Sequence, residues 1–106
     1  MLTDVCEAIR SRRLIGFAYH GSRRIVEPYA HGFNRGRREA IRGYQVAGQS
    51  ATSEVLGWKF FIAEDMTSFE LLSATFVPRL GYIAAARDLI VIHCTSENPL
   101  AQESNT

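Results

Sequence analysis

The chain has 106 residues, 46% of them hydrophobic, with a net charge of +1 and two cysteines. That length fits one domain able to bury a core without metal or a disulfide framework, and apolar runs such as 89–92 are far too short for a membrane-spanning helix. Cys6 and Cys94 are too few and too far apart for a disulfide scaffold; they read as reduced, packed thiols of a cytoplasmic protein without a secretory leader.

Residues 3–12 predict a short amphipathic helix. Thr3 caps its start, Asp4 sits in the first turn, and Arg10 and Arg12 lie where the helix dipole favours cations. Leu2, Cys6, Ile9 and Arg13 fall at helical spacing. Residues 14–20 alternate as a strand, with Ile15, Phe17 and Tyr19 on one face, and Gly21-Ser22 predicts a hairpin turn. A second strand covers 23–31, where Pro28 demands an edge or a bulge because it has no amide proton to donate. After the turn signal Asn34-Arg35-Gly36, residues 39–48 form a third strand. Its Arg42, Tyr44 and Val46 share one face, and Ile41, Gly43, Gln45 and Ala47 the other. A polar, mobile loop is expected at 49–57, strands at 58–63, 69–72 and 89–95, an irregular stretch at 76–82, and a disordered tail at 96–106. One helix followed by short strands in local hairpins predicts a single, mainly β domain over residues 1–95. The expected form is a small antiparallel SH3/Sm-like barrel preceded by one N-terminal α-helix.

Charge is polarised along the chain. Residues 1–42 carry nine arginines against four acids, whereas residues 43–106 carry three basic residues against seven acids. Eleven of the twelve basic residues are arginine, whose planar fork suits phosphate or carboxylate and stacks on rings. Arg24, Arg42 and Lys59, on three predicted strands, are the candidate anion contacts. Tyr44 and Trp58 can each stack a base, a contact worth ~1–3 kcal/mol, and Gln45 can read an exocyclic group. Each also has a plain structural role open to it: an ion pair with Glu27 or Glu64 for the cations, core packing for the rings, a backbone contact for Gln45. The Glu27 carboxylate is expected to bridge to an arginine.

Taken in order, Ala8-Ile9, Arg12-Arg13, Phe17-x-Tyr19, Arg24-x-Val26-Glu27-Pro28-Tyr29 and Arg42-Gly43-Tyr44-Gln45-Val46-Ala47-Gly48 resemble the WYL domain of bacteria, over roughly residues 5–82. Gly57-Trp58-Lys59-Phe60-Phe61 and Phe76-x-Pro78-Arg79-x-Gly81-Tyr82 are similar to the short, stand-alone members. The resemblance implies an Sm-like barrel behind a helix, acting as a regulatory sensor of a nucleotide-like ligand or single-stranded nucleic acid. It implies settings such as transcription regulation and phage defence. Gly43-Tyr44-Gln45 stands in place of the name-giving Trp-Tyr-Leu, and Ile62 and Asp65 stand where many relatives carry arginine, which thins the basic surface.

No catalytic group, cofactor or metal is expected. His20, His31 and His93 show no mutual spacing suited to zinc, and His93 and Cys94, adjacent on a strand, should point to opposite faces. There is no glycine-rich phosphate loop. The leading reading is a non-enzymatic sensor module that binds a nucleotide-like ligand or single-stranded nucleic acid through Arg24, Arg42, Tyr44, Gln45, Trp58 and Lys59. The alternative is a protein–protein module that docks on a larger bacterial effector or pairs with itself as a homodimer.

Overall fold

A computed structural model of the chain describes residues 2–48, 57–79 and 89–95. Helix α1 (Leu2–Ser11) leads into strands β1 (Arg13–Tyr19), β2 (Ser22–Phe33), β3 (Glu39–Gly48) and β4 (Gly57–Ile62). A single 3-10 turn (Ala63–Asp65) then precedes β5 (Met66–Thr75), and β6 (Val91–Thr95) comes last. The mobile loop expected at 49–57 and the disordered tail expected at 96–106 lie outside the described residues, except Gly57, which begins β4. Among the described residues no helix is long and apolar enough to cross a membrane.

All strand pairs are antiparallel, in the order β4-β3-β2-β1-β5, with β6 pairing β2. The long β2 organises the sheet. One of its edges carries β3 along most of its length, and the other is shared by β1, opposite Ser22–Val26, and β6, opposite Ala30–Phe33. The mainly β class with an N-terminal helix therefore holds.

Turn chemistry sets the registers. Tyr19 pairs with Ser22, so the β1–β2 turn is His20-Gly21, one residue before the expected Gly21-Ser22. Both turn residues have positive φ, 49° and 81°, as a two-residue turn matched to strand twist requires. At the end of α1, Arg12 (φ 57°) reverses the chain and bonds its amide to Ile9 O, ending the helix without glycine. Pro28 proves to mark a bulge: the β2–β3 register shifts between Pro28 and Ala30, so an inner strand accommodates a residue that cannot donate.

The apolar side chains follow period two. Ile15, Phe17 and Tyr19 of β1, Val26 of β2, Ile41 of β3, Phe61 of β4 and Met66 of β5 pack with Val5, Ala8 and Ile9 of α1 into one core. The helix thus closes over one face of the sheet. Phe17, Tyr19 and Phe61 meet edge to face, at ring separations of 5.0–6.3 Å. A smaller cluster on the opposite face joins Ala30, Ala40 and Leu89 with Phe60 and Ile62.

Candidate functional site

The six predicted binding residues fall on two faces of the sheet. Directly paired residues share a face, so Tyr44 with Trp58, and Arg42 with Phe60, lie on the outer face, away from the helix-covered core. Lys59 pairs with Gly43 and lies two residues from the buried Phe61, which puts it on the core face with Gln45. Arg24, two residues before Val26, is also on that face and is 96% buried.

On the core face Arg24 is held without a carboxylate partner among the described residues. Its guanidinium donates to Gln45 Oε1 at 3.3 Å and to Tyr19 O at 3.1 Å, and it lies 5.4 Å from the Tyr19 ring centroid. Arg24 Nε and Gln45 Nε2 are buried with no hydrogen-bond partner. The expected pairing of the candidate cations with Glu27 or Glu64 goes elsewhere: Arg79 takes Glu27, and Arg38 takes Glu64.

The outer face carries the denser network. Glu27 faces Tyr44 across the β2–β3 pair, and its carboxylate is buried. It accepts the Tyr29 hydroxyl at 2.9 Å, Arg79 Nε at 2.9 Å and a second Arg79 nitrogen at 3.3 Å. The Tyr29 oxygen in turn accepts the Arg79 amide at 2.8 Å. Anchored this way, the Arg79 guanidinium lies 3.8 Å from the centroid of the Tyr44 ring. Trp58 contacts both Tyr44 (5.4 Å, perpendicular) and Tyr29 (4.9 Å), and Phe76 also packs against Tyr29 at 5.4 Å. Burial pushes the Tyr29 hydroxyl well above its ordinary range, and the adjoining Glu27 adds to the rise. The Glu27 hydrogen bonds raise the pKa of Arg79 further above its already high ordinary value. Arg79 is the residue that sequence reasoning left out of the site; its traces were its place in the Phe76-x-Pro78-Arg79 segment and the expected bridge from Glu27 to an arginine.

A third cluster overturns two expectations. Cys6 and Cys94 are joined as a disulfide, with Cα atoms 5.8 Å apart, rather than packed as separate thiols. The sheet brings α1 and β6 to the same end of β2, a proximity that their separation of 88 residues conceals. The histidine spacing also changes. One ligand atom each from Cys6, His31, His93 and Cys94 lies within 4.8 Å of the others. The cause is a bulge in β6: His31 pairs with Cys94 and Gly32 with Ile92, leaving His93 as the extra residue. A bulge breaks strict alternation, so His93 and Cys94 need not face opposite ways. His93 Nδ1 lies 3.2 Å from Cys6 Sγ. His31 is fully buried, its Nε2 is 2.6 Å from Glu39 Oε2, and its Nδ1 has no hydrogen-bond partner. Burial lowers the pKa of His31 against the opposing pull of Glu39. A neutral ring donating from Nε2 leaves Nδ1 as a free lone pair.

Comparisons with protein-family models, curated proteins and solved structures find no match to this chain.

Proposed function

We propose that the chain is a non-enzymatic ligand-binding module, related to the WYL domains, that takes a nucleotide-like ligand on the outer face of β3 and β4. The strand order β4-β3-β2-β1-β5, with a 3-10 turn between β4 and β5, supports a sheet curled as an SH3/Sm-like barrel, with this face on its outside. One observation carries the reading: the Tyr44, Trp58 and Arg79 planes are locked together, with Arg42 on the same face. Arg79 covers one side of Tyr44, so the ligand's ring stacks on the open side of the guanidinium or on the half-buried Trp58, and its phosphate meets Arg42. Two stacking positions suit one or two nucleotides rather than a long strand. Working in the cytoplasm, such a module regulates a larger assembly by changing its docking when the ligand is bound.

Trp58 is the only tryptophan, so its fluorescence reports the site directly. Titration with nucleoside monophosphates, diphosphates, cyclic dinucleotides and short oligonucleotides should quench it at low salt. Binding should weaken as salt rises, because neutralised phosphates release counterions, and Arg42→Ala and Tyr44→Ala should each reduce it. No quenching by any of these ligands at low salt rejects the proposal.

A second reading rests on β6. Ile90, Val91 and Ile92 are 59%, 56% and 47% exposed, and among the described residues β6 pairs with β2 alone. An apolar edge strand suits docking on a partner protein or a second copy of this chain. Light scattering with Val91→Lys tests it: a dimer that dissociates in the variant supports self-pairing, and a wild-type monomer rejects it.

A further inference from the structure

The disulfide explains two of the four side chains at the junction of α1, β2 and β6. It leaves the two histidines without a role. A cross-link needs no imidazole, yet two converge on it: His31, buried on β2, and His93, brought in by a bulge that interrupts the β2–β6 ladder. His31 is also prepared in a particular way. Glu39 holds its Nε2, which fixes the ring and its tautomer and leaves the buried Nδ1 without a partner. A carboxylate behind a histidine is the usual outer support of a metal-bound imidazole.

We propose that Cys6, His31, His93 and Cys94 form a tetrahedral Zn²⁺ site when the cysteines are reduced, and that the disulfide is the oxidised, metal-free form of the same cluster. The donors are Cys6 Sγ, Cys94 Sγ, His31 Nδ1 and a His93 ring nitrogen. Around zinc at ordinary bond lengths, neighbouring S and N ligands stand about 3.4–3.8 Å apart. Donor atoms that already lie within 4.8 Å of one another reach that arrangement by small rotations and by separation of the two sulfurs. Two thiolates and two neutral imidazoles select zinc over magnesium or calcium, which prefer oxygen. They also balance its charge, which suits the half-buried position of the two cysteines. Four protein ligands leave no open coordination position, so the metal is structural rather than catalytic. It would tie the N-terminal helix to the last strand in a reducing compartment, as the disulfide does in an oxidising one.

The exchange balances. A dithiol reductant gives two electrons and two protons to the Cys6–Cys94 bond and becomes a disulfide itself, leaving two thiols on the protein. Zn²⁺ then replaces the two thiol protons, which pass to solvent. Partial exposure of both cysteines and the exposed His93 give reductant and metal a way in.

The test uses the full chain, reduced with a phosphine that is then removed. Zn²⁺ is titrated against a chromophoric chelator, with native mass spectrometry for stoichiometry. Co²⁺ is added in parallel, because its spectrum reports both tetrahedral geometry and thiolate ligation. We expect one metal per reduced chain, a tetrahedral Co²⁺ spectrum with thiolate charge transfer, and no binding to the oxidised chain. The exposed His93 allows His93→Asn without opening the core; this variant should bind at least ten-fold more weakly. Glu39→Gln should weaken binding by about 10–100-fold through loss of the outer support. The proposal is overturned if the reduced chain binds no zinc at stoichiometric concentrations. It is equally overturned if His93→Asn, folded by far-UV circular dichroism, keeps wild-type affinity, since His93 would then not be a ligand and the four-ligand site would not exist.

Discussion

Arg79→Ala removes the keystone of the outer-face network, and its cost can be worked from the contacts. The Glu27 side chain is only 7% exposed, and its carboxylate takes two of its hydrogen bonds from the Arg79 guanidinium and one from Tyr29. A hydrogen bond to a charged group contributes about 1.5–3 kcal/mol, so two of them set an upper bound of about 3–6 kcal/mol. Arg79 itself is 44% exposed. Water therefore screens the pair and enters the space vacated by the side chain, which brings the expected loss to about 2 kcal/mol. In a domain of this size that is a fall in Tm of about 10 °C. The assay is urea and thermal unfolding of Arg79→Ala, Glu27→Gln and the double variant. The cycle should give a coupling of about 1 kcal/mol or more, because each single variant leaves the other group stranded. Arg79→Lys should recover part of the stability, since it restores the charge but neither the two-pronged contact nor the guanidinium packed over the Tyr44 ring. Additive single losses would refute the reasoning, and Arg79 would then be an ornament on a site held together by Tyr29 and Trp58.

Tyr29 supplies a pH dependence. Its hydroxyl ionises above the ordinary value of 10 because burial disfavours the phenolate, so its stabilisation is complete below pH 10 and declines as pH rises past it, where the unfolded chain ionises first. The urea midpoint of the wild type should therefore fall faster above pH 10 than that of Tyr29→Phe; equal slopes would contradict this. Gly32→Ala would place a Cβ 1.9 Å from the backbone oxygen of Val91, so β6 must move off β2. We expect a loss of about 1–3 kcal/mol and faster amide exchange across Val91–Thr95, and unchanged protection would show that β6 is not held by this approach. Phe17, fully buried among Tyr19 and Phe61, should cost about 3–5 kcal/mol when cut to alanine, measured by urea unfolding. A loss under about 1 kcal/mol would mean that the core packs without it.

The strands were legible because their apolar residues keep period two between strong punctuation. The third strand was expected at 39–48, and β3 has those bounds, since Glu39 follows the arginine-rich turn and Gly48 has a φ of 104° that favours glycine. The fifth was expected at 69–72 but runs from Met66 to Thr75. Its exposed positions are Thr, Ser, Glu and the small Ala74, which carry little hydrophobic signal, and its pairing is fixed by β1 rather than by its own composition. The register there shifts where Ser68 takes a positive φ of 53°, a bulge that nothing in Thr67-Ser68-Phe69 announces.

The sites were legible only as far as alternation holds. Membership of neighbouring strands is not enough to bring side chains together, because residues one apart in a strand face opposite ways. Parity along β3 puts Tyr44 outside and Gln45 inside; cross-strand pairing then sends Trp58 with the first and Lys59 to the side of the second. The six candidate residues thus divide between two surfaces with different chemistry, a stacked cationic plate outside and a buried guanidinium lacking a carboxylate inside. The cysteine–histidine cluster shows the converse. Strict alternation separates His93 from Cys94, and one extra residue opposite His31 removes that separation. Gly32 is the feature that permits it: with no side chain, it lets the β6 backbone approach where any Cβ would collide. A lone glycine late in a strand otherwise rich in large residues therefore marks, as Pro28 does earlier in the same strand, a place where counting by twos stops working, and the four candidate ligands converge beside it.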